Sequence, residues 1–172
     1  MAAGWQWRTQ NEILGPREFG GVFETPNHPQ VGVSWYEAVA FCHWFSAQIN
    51  GIVRLPSEAE WERAARHTDG RIYPWGNEFD AANANTAESY LDQTTPVHLY
   101  PDGVTPEGVW DLSGNVWEWT NDVAKEGWIW VKGGAYYRGS DGVTSSARLR
   151  NNPYLRSDYL GFRCVVVPIS RS

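Results

Sequence analysis

Two stretches of the chain predict helices, the first by apolar residues at helical spacing and both by the way they start. In the first, Trp35, Val39, Cys42 and Phe45 share one face, and Ala38 and Phe41 widen the stripe. It is preceded by Ser34-Trp35-Tyr36-Glu37, a capping box in which the serine side chain accepts from the Glu37 amide and the glutamate reaches back to the Ser34 amide. Asn50-Gly51 predicts its end. The second stretch opens with another such box, Ser57-Glu58-Ala59-Glu60, directly after Pro56. Glu58, Glu60 and Glu62 crowd the positive end of its dipole, Arg63, Arg66 and His67 sit at the negative end, and Asp69-Gly70 predicts the stop.

Beyond Arg71 the helical period disappears. Tyr73-Pro74-Trp75-Gly76 reads as a rigid turn, and residues 79–95 as a long polar loop rich in Ala and Asn. Short β-branched and aromatic pieces predict strands at 97–100, 109–112, 116–120, 128–131 and 163–167. Loops this long inside a compact domain are functional or pinned by something, often a metal. The pattern predicts one α+β domain, with no repeat, linker or low-complexity segment.

Composition sharpens this picture. A chain of 172 residues suits one domain with a real core, and no apolar run approaches the roughly 20 residues of a membrane span. No charged segment followed by an apolar one opens the chain, so a signal peptide is not expected. Eleven Trp, with 17 Gly, 10 Pro and 8 Tyr, point to a loop-rich fold held by large aromatics. A net charge of −6 argues against a nucleic-acid partner. The charge is uneven: seven basic and eighteen acidic residues lie before Lys132, seven basic and two acidic from Lys132 onward. Two readings stand: C-terminal arginines that answer carboxylates across the fold, or a C-terminal recognition surface.

Phosphate-binding, nucleophile-elbow and zinc-protease motifs are absent. His67-Thr68-Asp69, with His98, has the spacing of an iron facial triad, but a cation at a helix C-terminus accounts better for His67. Cys42, on the apolar helix face, and Cys164, in the last strand, are buried thiols or a single disulfide; nothing around either suggests a reactive thiolate. Asp111 and Glu118 bracket the glycine turn of Asp111-Leu112-Ser113-Gly114-Asn115-Val116-Trp117-Glu118-Trp119, an arrangement that suits calcium or simply anchors two tryptophans.

Val33-Ser34-Trp35-Tyr36-Glu37-Ala38, Arg54-Leu55-Pro56-Ser57-Glu58-Ala59-Glu60-Trp61-Glu62, Tyr73-Pro74-Trp75-Gly76, Gly114-Asn115-Val116-Trp117-Glu118-Trp119, Lys132-Gly133-Gly134 and Gly161-Phe162-Arg163-Cys164 occur in that order. Together they resemble the formylglycine-generating-enzyme (sulfatase-modifying factor) domain, from about Pro29 to Val166. The resemblance implies an irregular variant of the C-type lectin fold, assigned to 29–168, after a shortened N-terminal segment 1–28 containing Trp5, Trp7, Phe19 and Phe23 and before a tail 169–172. It implies structural calcium held by Asp111, Gly114, Val116 and Glu118, and a second site at Asn85, Thr86 and Asp92. It also implies that Cys42 and Cys164 are neighbours, oxidised or not according to compartment. Two readings of the short N-terminal segment stand: a longer chain or assembly that supplies the family's missing part, or a compact variant of the domain.

Two departures decide the functional expectation. The family's enzymes bind copper through two cysteines shortly after Lys-Gly-Gly, and those positions fall here at Arg138 and Val143; residues 132–163 contain no cysteine. No copper is therefore expected. The related iron-dependent sulfoxide synthases take their iron ligands largely from a separate His-rich helical domain, which these residues do not include. What remains resembles the variable proteins of diversity-generating retroelements, whose diversified codons lie between Lys/Arg-Gly-Gly and Gly-Phe-Arg. In that interval the chain carries Tyr136, Tyr137, Arg138, Ser140, Asp141, Asn151, Asn152, Tyr154, Arg156, Ser157, Asp158 and Tyr159, the composition of a paratope. The expectation is a non-catalytic module binding a protein or glycan through loops 136–159. The alternatives are an oxidase of the same family and a regulatory or structural domain of a larger machine.

Overall fold

In a computed structural model, residues 9–10, 12 and 14–167 are described; Trp5, Trp7 and the expected tail 169–172 lie outside them. Both capping boxes form. Helix α1 spans Trp35–Ile49, with Ser34 and Glu37 satisfying each other's orphan amides, and ends where Asn50 turns left-handed at φ 49°. Helix α2 spans Glu58–Arg66 behind the Ser57–Glu60 box. It stops earlier than Asp69-Gly70 predicts, because His67 already has positive φ (53°), and a bulky residue there ends the helical run.

The described residues form six short strands of mixed topology. β1 (Ile52–Arg54) pairs antiparallel with β6 (Val165–Val167) as a two-stranded ribbon. The second sheet has the order β4 (Arg148–Asn151), β3 (Ile129–Lys132), β2 (Trp117–Val123), β5 (Leu160–Phe162). Its β2–β3 and β3–β4 pairs are antiparallel and β2–β5 is parallel. The α+β class is as expected, but the strands at 97–100 and 109–112 do not form. His98 and Asp111 both have positive φ (63° and 56°), which breaks an extended run in each segment. Val109 instead closes a tight loop on Thr105.

The core lies between α1, the larger sheet and α2. Trp117 and Trp119 of β2 are at most 1% exposed and pack with Leu55, Ile129, Val131 and Leu160; Trp61 of α2 packs with Ala65 and Leu112. Such burial is tolerable only if each indole N–H finds an acceptor. Trp119 donates to Val33 O (3.0 Å), Trp35 to Thr120 O (2.8 Å), and Trp61 to Glu118 Oε2 (2.6 Å). Tyr73 and Gly76 exchange backbone hydrogen bonds, with Tyr73 and Trp75 stacked at 5.2 Å, so the predicted turn is rigid.

Basic residues from Lys132 onward answer acids across the fold. Lys132 is fully buried and ion-paired to Glu62 (2.9 Å); Arg148 pairs with Glu58, Arg156 with Glu37, and Arg163 with Glu118. Of the two readings of the charge asymmetry, the first therefore accounts for most of the C-terminal cations. Among the described residues, no helix is long and apolar enough to cross a membrane.

Candidate functional site

The residues singled out between 136 and 159 fall into three groups. The first is an aromatic cluster. Tyr136 is buried, and its hydroxyl donates to Asp158 Oδ2 (3.2 Å), while Ser157 Oγ donates to Asp158 Oδ1 (3.1 Å). Tyr137 is 39% exposed and stands edge-on to Tyr136 (5.7 Å) and Tyr159 (5.1 Å). Its hydroxyl accepts the Trp117 indole N–H (3.2 Å), leaving its own proton free to donate outward. Arg138 is exposed, lies over the Trp117 ring (6.0 Å) and nestles against Gly142, where a Cβ would collide with it. Burial, then the Asp158 and Asp92 carboxylates, hold the Tyr136 phenol well above its ordinary range; burial likewise raises Tyr137.

A second group lies along the loop 138–142. Ser140 N donates to Glu88 Oε1 (2.9 Å), Ala87 N donates to Arg138 O (3.0 Å), and Asp141 is exposed. The segment 87–92 therefore belongs to the same face as 136–141, and it carries Tyr90 (88% exposed) and Leu91 (44%). Sequence reasoning missed Tyr90 and Leu91, because no motif marks them; only the exposure of an aromatic on a left-handed turn reveals them.

The third group is set by α1. Tyr154, 46% exposed, packs on Tyr36 (5.1 Å), and exposed Asn152 accepts from the Tyr154 amide (3.0 Å). Arg156 and Ser157 are not presented as a paratope would present them. Arg156 grips Glu37 and Gly15 O, so its guanidinium extends the cap of α1, and Ser157 is only 8% exposed. Asn151 is half-buried within β4, in register with Ile129.

The carboxylate sites are built differently. Glu118, 5% exposed on β2, accepts Trp61 Nε1 and Arg163 Nε (2.5 Å) on one oxygen and Arg163 Nη2 (2.6 Å) on the other. Arg163 also donates to Trp110 O and Asp111 O. Asp111 and Glu118 line one cavity of about 420 Å³ with Asn115, Val116 and His98. Burial pushes the Asp111 carboxyl above its ordinary value, although the His98 amide and Arg163 oppose that. Gly114, φ 73°, lies so close to Asn85 O that a Cβ would overlap it. At the second set, Ser89 Oγ sits between Asn85 Oδ1 (3.1 Å) and Thr86 O (2.7 Å), and Asp92 is exposed. Asn85 and Asn115 pin the long loop directly: Asn85 Nδ2 donates to Gln93 O, Asn115 N to Asn85 O, and Asn115 Oδ1 accepts from Thr95 N.

The remaining candidates resolve simply. Cys42 and Cys164 face each other with sulfurs 3.4 Å apart as free thiols; their mutual hydrogen bond and burial hold Cys42 protonated. His67 caps α2 and contacts Glu107, while the His98 ring lies against Trp110 (5.0 Å). Among the described residues no three His, Cys, Asp or Glu side chains converge as metal ligands. Arg138 and Val143, expected at the positions of the family's copper ligands, are exposed and fully buried respectively.

A family profile described as the sulfatase-modifying factor enzyme 1-like domain matches residues 2–168. An inactive C-alpha-formylglycine-generating enzyme 2 of Bos taurus is 36% identical over 163 residues, covering 84% of this chain and 52% of that protein. A formylglycine-generating enzyme of Streptomyces coelicolor is 36% identical over 174 residues, covering 81% and 52%. The chain thus spans about half the length of these curated relatives. Among solved structures, Treponema denticola variable protein 1 superposes with a TM-score of 0.77 at 22% identity, covering 90% of this chain and 78% of that one. CarF gives 0.73 at 26% identity, covering 98% and 82%. These likenesses match the C-type-lectin-like fold that the motifs imply.

Proposed function

Because the chain belongs to the sulfatase-modifying factor enzyme 1-like family, its departures from the family's enzymes carry the functional argument, and we propose that it is a non-catalytic ligand-binding module. The observation that carries this reading is the pair Arg138 and Val143. Copper(I) chemistry of the family's kind requires two thiolates, and here a guanidinium and a buried isopropyl group stand in their places. The two cysteines present face each other, sulfurs 3.4 Å apart, within the core cluster. An inactive relative at 36% identity and a variable protein of the same fold are consistent with the reading.

Recognition is assigned to the exposed members of the loops: Tyr137, Arg138, Asp141, Asn152 and Tyr154, with Tyr159 behind them. The buried tyrosine, tryptophan and asparagine contacts fix the backbone beneath, which lowers the ordering cost of binding. Diversification of codons 136–159 by a retroelement belongs to the same proposal. So does calcium at the first carboxylate set, where Asp111, Glu118 and the Gly114 and Val116 carbonyls are oxygen ligands of the type it prefers, on the condition that the ion displaces the Arg163 guanidinium from the Glu118 oxygens it holds. The second set fits a cation less well, since the Ser89 hydroxyl fills the point between Asn85 and Thr86.

Incubation of the copper-treated protein with a Cys-x-Pro-x-Arg peptide should yield no aldehyde; an aldehyde formed stoichiometrically or better would overturn the non-catalytic reading. Sequencing the gene across one population tests the finer claim: substitutions confined to codons 136–159 support diversification, and an invariant segment removes it.

A further inference from the structure

The ion pairs of this fold leave the candidate face without its share of cations. Four of the seven basic residues from Lys132 onward are bound to Glu62, Glu58, Glu37 and Glu118 elsewhere. On the face, Glu88, Asp92, Asp141 and Asp158 have no Lys, Arg or His within ion-pair distance among the described residues, and Arg138 is the cation beside them. The partners of these acids on the face are neutral donors: Asp158 receives the Tyr136 and Ser157 hydroxyls, and Glu88 the Ser140 amide. Tyrosine faces beside carboxylates are what a guanidinium or ammonium group prefers, since the ring quadrupole and the acid both attract it. Exposed Tyr90 and Leu91 extend the apolar part of the same face.

Resting on the binding-module reading, we propose that this face docks a basic segment of a partner protein, with a lysine or arginine seated on the Tyr137–Tyr159 pair beside the Asp158 carboxylate and with Asp92 and Asp141 flanking it. The Asp158 carboxylate is held in place by the Tyr136 and Ser157 hydroxyls, so it is preorganised for such a contact. Because the flanking Asp92 and Asp141 are exposed, the attraction weakens with salt.

The test is to pan a random displayed peptide library on the immobilised full chain, then to synthesise an enriched peptide and titrate it. Enriched sequences should carry lysine or arginine, and binding should fall as salt is raised. The double change Asp92→Asn with Asp158→Asn should weaken the peptide by about tenfold or more, a loss of about 1.4 kcal/mol. Glu107→Gln, in the loop beside His67 at the C-terminus of α2, should leave it unaltered, and melting should confirm that each variant is folded. Acidic or neutral peptides that depend on Tyr137 but not on Asp92 and Asp158 would overturn this inference and leave the binding-module reading standing. Peptides indifferent to Tyr137→Ala as well would overturn both. Absence of any enriched peptide counts against the basic-segment proposal.

Discussion

Glu118→Gln is the most informative single change to the scaffold. The carboxylate receives three N–H groups, one from Trp61 and two from Arg163, in a site where Glu118 is 5% exposed. Glutamine offers one carbonyl oxygen and turns its own N–H₂ toward a donor, so at least one donor loses its acceptor and Arg163 loses its counter-charge. Removing one partner of a buried ion pair costs about 3–5 kcal/mol. Arg163 is 27% exposed along its side chain and keeps the Trp110 and Asp111 carbonyls, which places the cost near the lower bound, about 3 kcal/mol. For a domain of this size that lowers Tm by roughly 6–12 °C. Calorimetric melting in chelator and in millimolar calcium measures both effects. The calcium proposal predicts a rise in the parent's Tm by mass action, which the variant should lose. A fall below about 3 °C would refute the ion-pair argument. An equal calcium response in both proteins would remove the ion from Glu118.

Further outcomes follow from the other charged and sulfur pairs. Lys132→Met should destabilise by about 3 kcal/mol, because the amine is fully buried against Glu62, Ser146 O and the Trp61 ring. Combined with Glu62→Gln in denaturant titrations, the loss should be smaller than the sum, and strict additivity would refute the pairing. The Glu60 carboxyl is held at about 2 by the bidentate Arg54 contact and the Ser57 amide. Its folded value is depressed, so its contribution is present above the ordinary 4.5 and is lost as pH falls through about 2. The pair is exposed, so Glu60→Gln should flatten Tm against pH in that window by no more than about 1 kcal/mol, and an unchanged slope contradicts this. Mild oxidation should join Cys42 to Cys164 and raise Tm, detected as two thiols lost together; independent modification of either sulfur contradicts the pairing.

What the sequence disclosed was governed by locality. Each capping box needs only residues three apart, and both form as read. The Tyr73–Gly76 turn is equally local. Strand prediction failed at 97–100 and 109–112 because β-branched composition says nothing of a ladder partner, and left-handed His98 and Asp111 deny one. β1, β4 and β5 escaped notice for the opposite reason. Arg148–Asn151 is a polar, mostly exposed edge, and Ile52–Arg54 and Leu160–Phe162 are too short to carry an alternation. The candidate face was half legible. Tyr137, Arg138 and Asp141 are exposed as a paratope requires, whereas composition could not show that Arg156 is committed to Glu37, 119 residues away, or that Tyr136 is buried.

The central claim is that a rigid scaffold carries interchangeable recognition loops. It is tested most directly by one chain bearing Tyr137→Asn, Arg138→Ser, Asp141→Asn and Tyr154→Ser together, compared with the parent for melting and for binding of a peptide selected on the parent. The account predicts a folded protein with Tm lowered by about 5–15 °C, since the other three exposed changes each cost roughly half a kcal/mol and the buried Trp117 indole loses its Tyr137 acceptor at about 1–3 kcal/mol, and no measurable peptide binding. An unfolded chain, or a folded one that still binds the peptide, would contradict it.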